Sequence, residues 1–297
     1  MTFGLIANSR KELFWKTLPG LVTWFRDRKV PVLVSDMLAE HPHADLHGAA
    51  VEILPMTELI EKADMLIAFG GDGTMLRVVQ LVGDRNIPIL GVNVGGLGFL
   101  TEVTLEHFRE EFDRILDGEY REEQRLVLKI TTPGDPKPLY ALNELVLDKG
   151  GSVRVIEIET RVNGQYLNSY IADGLILSTP TGSTGYSLSS GGPIVVPTAD
   201  VVIINPICPH SLTNRPIILP ADSVIEVVVR TEHDHFLIAA DGQDVRHGIS
   251  RQHLTVERAP FTARLVKPMG SDFFTLLQTK LRWGTDFRDK KRWSYNS

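Results

Sequence analysis

The sequence predicts an α/β fold joined to an all-β one: an N-terminal parallel α/β domain followed by a C-terminal β-sandwich. Three observations lead there. Up to about residue 120, short apolar runs alternate with stretches of helical spacing, the pattern of a parallel sheet covered on both faces. Beyond it the period becomes strand-like, with Asn163-Gly164 as a hairpin signal, which suits a two-layer sandwich. A last helical stretch, 273–281, comes too late for the sandwich and is expected to return to the N-terminal domain. The domains expected are 1–120 plus 270–297, and 121–269.

In the first half, residues 3–7 are a short apolar strand. Phe14, Leu18, Leu21, Val22 and Phe25 then give residues 11–29 one apolar helical face, with Pro19 as its flaw. Strands are expected at 30–34, 65–69 and 87–92, a loop at 41–50, and helices at 58–62, 74–82 and 105–116. In the second half, strands are expected at 126–130, 139–147, 153–162, 166–172, 175–178, 201–204, 224–230, 236–240, 254–257 and 263–266.

The stretch around which the chain is organised is Gly70-Gly71-Asp72-Gly73-Thr74, where the strand 65–69 hands over to a helix. Glycines there let the backbone approach a ligand, and the first N–H groups of the helix are free to meet an anion. A carboxylate in such a turn conflicts with phosphate binding unless it serves a metal or takes a proton from an attacking hydroxyl. A simple strand–turn–helix corner is the plainer alternative.

Residues 173–193 form the second concentration of glycines and hydroxyls, with Tyr186 among them. A structureless loop of that length within a compact domain is uncommon unless functional, and this composition suits a nucleotide. Asn143-Glu144 sits inside an apolar strand, so one of the two polar side chains must face inward or line a cleft. Asp241-Gly242-Gln243 reads as a hairpin turn. His41, His43 and His47 read as a surface segment, and the basic run 288–292 as a solvated end. No direct protein ligand for a metal can be assigned. No G-x-x-x-x-G-K-[ST] or G-x-G-x-x-G is present.

Composition excludes some classes. A net charge of −6 speaks against a nucleic-acid face, and no apolar run reaches the roughly 18 residues of a membrane span. Cys208 is the only cysteine, so no intrachain disulfide forms and a cytoplasmic setting is expected.

GGDGT at 70–74, ALNELVL at 141–147, DGLILSTPTGSTGYSLSSGGP at 173–193, PICPHSLTNRPIIL at 206–219 and DGQ at 241–243 together resemble the bacterial NAD kinase (ATP/polyphosphate-NAD kinase) family, in order across nearly the whole chain. GGDGT alone is shared with diacylglycerol and sphingosine kinases; the STPTGST block is far more specific. The resemblance implies a nucleotide held between the two domains, and Mg²⁺-dependent transfer of the ATP γ-phosphate to the 2′-hydroxyl of the adenosine ribose of NAD. It implies Asp72 as the base, with Gly73 and Arg77 beside the dinucleotide and Gly70, Gly71, Gly73 and Thr74 on the ATP side. Asn143 and Glu144 would hold ribose hydroxyls. Thr184, Gly185, Tyr186, Ser187, Leu188 and Ser189 would line the adenine side, Asp173 would meet the nicotinamide end, and Arg154 and Gln243 would stand around the dinucleotide. The family commonly has Ala where this chain has Gly185. A homodimer or homotetramer is implied, with the site completed by a neighbouring subunit. Two alternatives stay open: a lipid kinase sharing GGDGT, and a non-catalytic NAD(P)-binding sensor.

Overall fold

The computed structural model describes residues 1–46, 50–232 and 235–283; His47 and the basic run 288–292 lie outside them. The chain opens as β1 (Phe3–Ala7), α1 (Glu12–Asp27), β2 (Val32–Ser35), α2 (Asp36–Ala39), β3 (Val51–Leu54), α3 (Met56–Lys62), β4 (Met65–Gly70), α4 (Asp72–Val82) and β5 (Ile89–Asn93). The five strands are parallel in the order β3-β2-β1-β4-β5. β4 is buried along its whole length, as a strand covered on both faces must be. On one face α1 lays Phe14, Leu18 and Phe25 against Phe3 and Phe69, and Pro19 is accommodated within it. The other face is covered by Leu59 and Ile60 of α3 and Met75, Val78 and Val79 of α4. The edge strand β3 has no expected counterpart, because its pattern leaves Glu52 and Ile53 exposed and offers no apolar run.

The chain continues through β6 (Val103–Thr104), α5 (Phe108–Leu116), β7 (Tyr120–Thr131), β8 (Leu139–Ala141), β9 (Glu144–Asp148), β10 (Ile156–Val162), β11 (Gln165–Ala172) and β12 (Gly174–Ser178). A 3-10 turn (Thr181–Thr184) and a single helical turn, α6 (Tyr186–Ser189), follow. Then come β13 (Val201–Ile207), β14 (Ile217–Pro220), β15 (Ile225–Arg230), β16 (Phe236–Ala240), β17 (Asp244–Gly248), β18 (Gln252–Pro268) and α7 (Phe273–Leu281). One antiparallel sheet runs β14-β13-β12-β9-β16-β17. It packs on the antiparallel strands β7, β10, β15 and β18 through Leu128, Leu145, Ile158, Leu175, Val227 and Phe236, the two layers of the sandwich.

The second layer is not self-contained. β18 pairs with β15 and β7 and, at its far end, runs parallel to β5, Leu265 opposite Ile89 and Val266 opposite Leu90. One sheet therefore runs through both halves. Strands expected separately at 254–257 and 263–266 are this single strand, irregular between Arg258 and Thr262 where Pro260 interrupts the pattern. The strand expected over 139–147 is in fact two, β8 in one sheet and β9 in the other. Helix α7 returns to the α/β half as expected: Lys280 donates to the Leu97 carbonyl and lies 5.7 Å from the Phe99 ring centre.

Candidate active site

The site begins where β4 ends. A side chain at Gly70 would strike Thr74, so only glycine lets the strand turn this sharply into α4. Gly71 caps the helix with extended backbone and Asp72 is its first residue. The half-buried Asp72 carboxylate reaches across to the loop after β5. Its two oxygens accept the backbone N–H of Phe99 at 2.8 Å and of Leu100 at 2.9 Å. Any Cβ at Gly98 would overlap this carboxylate. The Gly95–Phe99 stretch, absent from the residues the sequence singles out, is thus a wall of the site. Its position beyond the carboxyl end of a parallel strand was the available signal.

A cleft of about 750 Å³ opens beside the turn, lined by Gly71, Gly73, Thr74, Arg77 and Gln243 and by Asn8, Ser9, Arg10 and Lys11 after β1. Sequence reasoning missed these last four; Arg10 and Lys11, like Arg77, add positive charge at the carboxyl end of a neighbouring parallel strand. His41 also lines the cleft, stacked on Trp15 with ring centres 4.0 Å apart. Among the described residues no three His, Cys, Asp or Glu side chains are grouped to hold a metal ion.

The other half of the site is the β8–β9 break, tied to the glycine turn through the turn at Asp241–Gln243. Asp241 Oδ2 accepts the N–H of Leu142 at 2.8 Å, and Oδ1 accepts those of Asn143 at 2.7 Å and Glu144 at 3.1 Å. One carboxylate thereby satisfies the three N–H groups that leave the strand ladder where the chain changes sheets. Asp241 and Gly242 have φ of 53° and 63°, the tight hairpin turn that the sequence suggested. From the same turn Gln243 Nε2 donates to the Gly73 carbonyl at 2.7 Å. This one turn thus joins the two sides, Asp241 holding the β8–β9 break and Gln243 the glycine turn.

Glu144 is buried. Burial, with the negative Asp241 beside it, pushes its carboxyl up to about 8. Burial pushes Asp241 up to about 6 against the pull of its three N–H donors. Glu144 Oε2 and Asn143 Oδ1 have no hydrogen-bond partner, an arrangement that asks for a donor from a ligand.

The 173–193 block is not a structureless loop, because its hydroxyls are used to fold it. Thr179 Oγ1 donates to the Leu142 carbonyl at 2.5 Å and accepts from the Gly182 N–H at 3.1 Å. Ser183 Oγ donates to the Pro180 carbonyl at 2.7 Å, and buried Ser187 sits against Asn205. Thr184, Gly185 and Leu188 are half-buried, and Tyr186 and Ser189 exposed. A methyl at Gly185 would stand 3.2 Å from Glu144 Oε2, so the block adjoins the Asn143–Glu144 wall. Asp173 receives the Lys149 ammonium at 2.6 Å and, with Asp148, lies near Tyr186, whose phenol is raised by burial and then by these charges. Arg154 stands on an exposed loop before β10, where its guanidinium pairs with Glu232.

A glycine turn presenting a carboxylate beside a basic cleft, joined through a hairpin turn to a wall that holds unpaired polar atoms, suits a two-domain phosphotransferase. Comparison with known proteins makes this specific. The family models described as ATP-NAD kinase N-terminal domain and ATP-NAD kinase C-terminal domain match residues 3–120 and 142–268. NAD kinases of Geotalea daltonii and Trichlorobacter lovleyi are 42% and 44% identical, each covering 89% of this chain and 92% of its own length. That of Moorella thermoacetica is 39% identical over 96% of this chain and 91% of its own. An Archaeoglobus fulgidus NAD kinase in complex with ATP superposes with a TM-score of 0.74 at 26% identity, over 95% of this chain and 99% of that one. Yeast NADH kinase complexed with NADH, at 24% identity, shares the fold, with a TM-score of 0.88 over 98% and 90% of the two chains. The chain belongs to the NAD kinase family.

Proposed function

We propose that this NAD kinase family member uses Asp72 to phosphorylate NAD. The 2′-hydroxyl oxygen of the adenosine ribose attacks the γ-phosphorus of ATP, the bond to the bridging oxygen of ADP breaks, and the hydroxyl proton passes to the Asp72 carboxylate. The products are NADP, ADP and a proton. The observation that carries this is the Asp72 carboxylate, held by two N–H groups within the glycine turn that flanks a basic cleft.

Phosphoryl transfer needs positioning and charge neutralisation more than covalent help. On this reading Arg10 and Lys11, with the N–H groups of the Gly70–Thr74 turn, meet the ATP phosphates. Mg²⁺ enters with the nucleotide, since such sites hold it through substrate phosphates and one or two carboxylates. Asn143 and Glu144 take ribose hydroxyls on their unpaired oxygens, Gly73, Arg77 and Gln243 stand by the dinucleotide, and Thr184 to Ser189 and Asp173 flank its two ends. The ATP side then belongs to 1–120 with 270–297, and the NAD side to 121–269. A homodimer or homotetramer would give the outlying Arg154 a site to serve, that of a neighbouring subunit. The family models and relatives favour this reading over a lipid kinase. Among the described residues no helix is long and apolar enough to cross a membrane.

A coupled NADP-formation assay with NAD, ATP and Mg²⁺ tests it beside Asp72→Asn. Wild-type turnover that drops at least about 100-fold in the variant, with NAD still bound, is the expected result. Full turnover in Asp72→Asn removes the base from the scheme, and a folded wild type that binds NAD without making NADP leaves a sensor.

A further inference from the structure

Beside the Phe99–Leu100 loop and the Thr181 turn lie four charged side chains that the scheme above does not use. Lys267, near the end of β18, is 2% exposed, and its ammonium pairs with Glu102. Arg125 on β7 is 4% exposed; it pairs with Glu123 and donates to Thr181 Oγ1 at 3.4 Å. The group continues outward through Arg121, which meets Glu123 at 3.1 Å and the Ser271 hydroxyl at 3.1 Å, just ahead of α7. A cavity of about 200 Å³ lies against it, walled also by Phe99, Thr184 and Phe273.

Stability is a poor explanation for this arrangement. Buried ion pairs often stabilise no more than apolar side chains of the same volume, because desolvation offsets the attraction. Arg125 Nε is left without a hydrogen-bond partner, an added cost. Burial pulls the Lys267 ammonium below its ordinary value, and Glu102 opposes that pull. The ends of the network are more informative. Glu102 follows by two residues Leu100, whose N–H, with that of Phe99, holds Asp72. Arg125 ends on Thr181, in the 3-10 turn that carries Thr184. Lys267 is anchored in the strand that pairs with β5.

We propose that Lys267 is a positioning residue of the kinase reaction: through Glu102 it fixes the loop 97–102, and the loop aims the Asp72 carboxylate. Arg125 secures the facing turn in the same way through Thr181. The inference rests on Asp72 as the reacting carboxylate.

Turnover, NAD affinity and melting temperature are to be compared in Lys267→Met and in Lys267→Met/Glu102→Gln. The single variant strands Glu102 and is expected to lose stability and turnover together. The double variant removes both charges. Its melting temperature is expected to recover while kcat stays at least about tenfold below wild type, since small misplacements of a reacting group cost up to about 100-fold. NAD affinity is expected to remain within about threefold. Recovery of kcat along with melting temperature in the double variant would make the pair structural and overturn the proposal, as would a folded single variant with wild-type kcat. Asp72→Asn is run alongside. Its full turnover, or an inactive wild type, places the failure in the underlying scheme and takes this proposal with it.

Discussion

At the scale of single residues, the site is governed by three carboxyl groups in three environments. Asp72 is held by two N–H groups, and each oxygen keeps a lone pair for an incoming hydroxyl. In Asp72→Asn the side-chain oxygen can still accept one N–H, while the amide turns a donor toward the other. Loss of about 1–3 kcal/mol of stability, read by denaturant unfolding, is expected to accompany the loss of turnover. Glu144 behaves differently. Its carboxyl is pushed from 4.5 to about 8 on folding, so between these values the folded chain holds a proton that the unfolded chain releases. Its contribution to stability is therefore full below about 4.5 and lost as the pH rises through about 8. The ligand-free protein should lose on the order of a few kcal/mol across that window from this group. In Glu144→Gln, melting temperatures between pH 5 and 8 are expected to fall less steeply than in wild type. Asp241, raised from 3.8 to about 6, leaves a residual slope of the same sign at the acid end. Equal slopes in the two proteins would show that Glu144 is ionised in the folded state.

At the scale of elements, the turn at Asp241 decides how the β8–β9 break is made, and it marks what the sequence could and could not reveal. The strand–turn–helix passage at Gly70–Thr74 was legible because its causes are local: a continuous apolar run, glycines at the corner and helical spacing after it. The break at Asn143 was not. The apolar residues of 139–141 and 144–148 read as one strand, and the interruption is imposed by a carboxylate 98 residues later in the chain. The hydroxyls of the 173–193 block were likewise visible as a cluster. Only the fold shows that Thr179 and Ser183 are spent on the block's own backbone while Thr184 and Tyr186 remain accessible. Asn8 to Lys11 escaped notice because four polar residues after a strand look like any loop until the neighbouring strand's glycine turn is placed beside them. The Asp241 turn can be tested separately from the chemistry. Asn tolerates the left-handed backbone there, so Asp241→Asn changes only the acceptor capacity. A loss of about 1–3 kcal/mol in denaturant unfolding is expected, with weaker NAD binding, because at least one of the N–H groups of residues 142–144 is left unpaired. Unchanged stability would mean that the break is held by the strands on either side of it.

At the scale of the whole molecule, the two halves are joined by more than a linker. β18 contributes Leu254 and Val256 to the sandwich core, Leu265 to the core beneath α3 and α4, and Val266 to the aromatic core beneath α1. Gln243 and α7 add contacts from the sandwich and from the chain end to the glycine turn and the Phe99 loop. Unfolding either half withdraws β18 from the other, since a strand cannot keep its β5 pairing while its neighbours β7 and β15 dissolve. Calorimetry on the ligand-free protein is therefore expected to give a single transition whose van't Hoff and calorimetric enthalpies agree. Val266→Ala lies at the joint, and its loss of about 2 kcal/mol of buried side-chain contact should lower that transition as a whole. If the trace splits into two peaks, with only the lower moved by Val266→Ala, the α/β half melts independently and β18 is a passive edge to it. A single peak that moves intact means that a cleft built from both walls is present only when the entire chain is folded, so that nucleotide bound across it should raise the one transition rather than separate two.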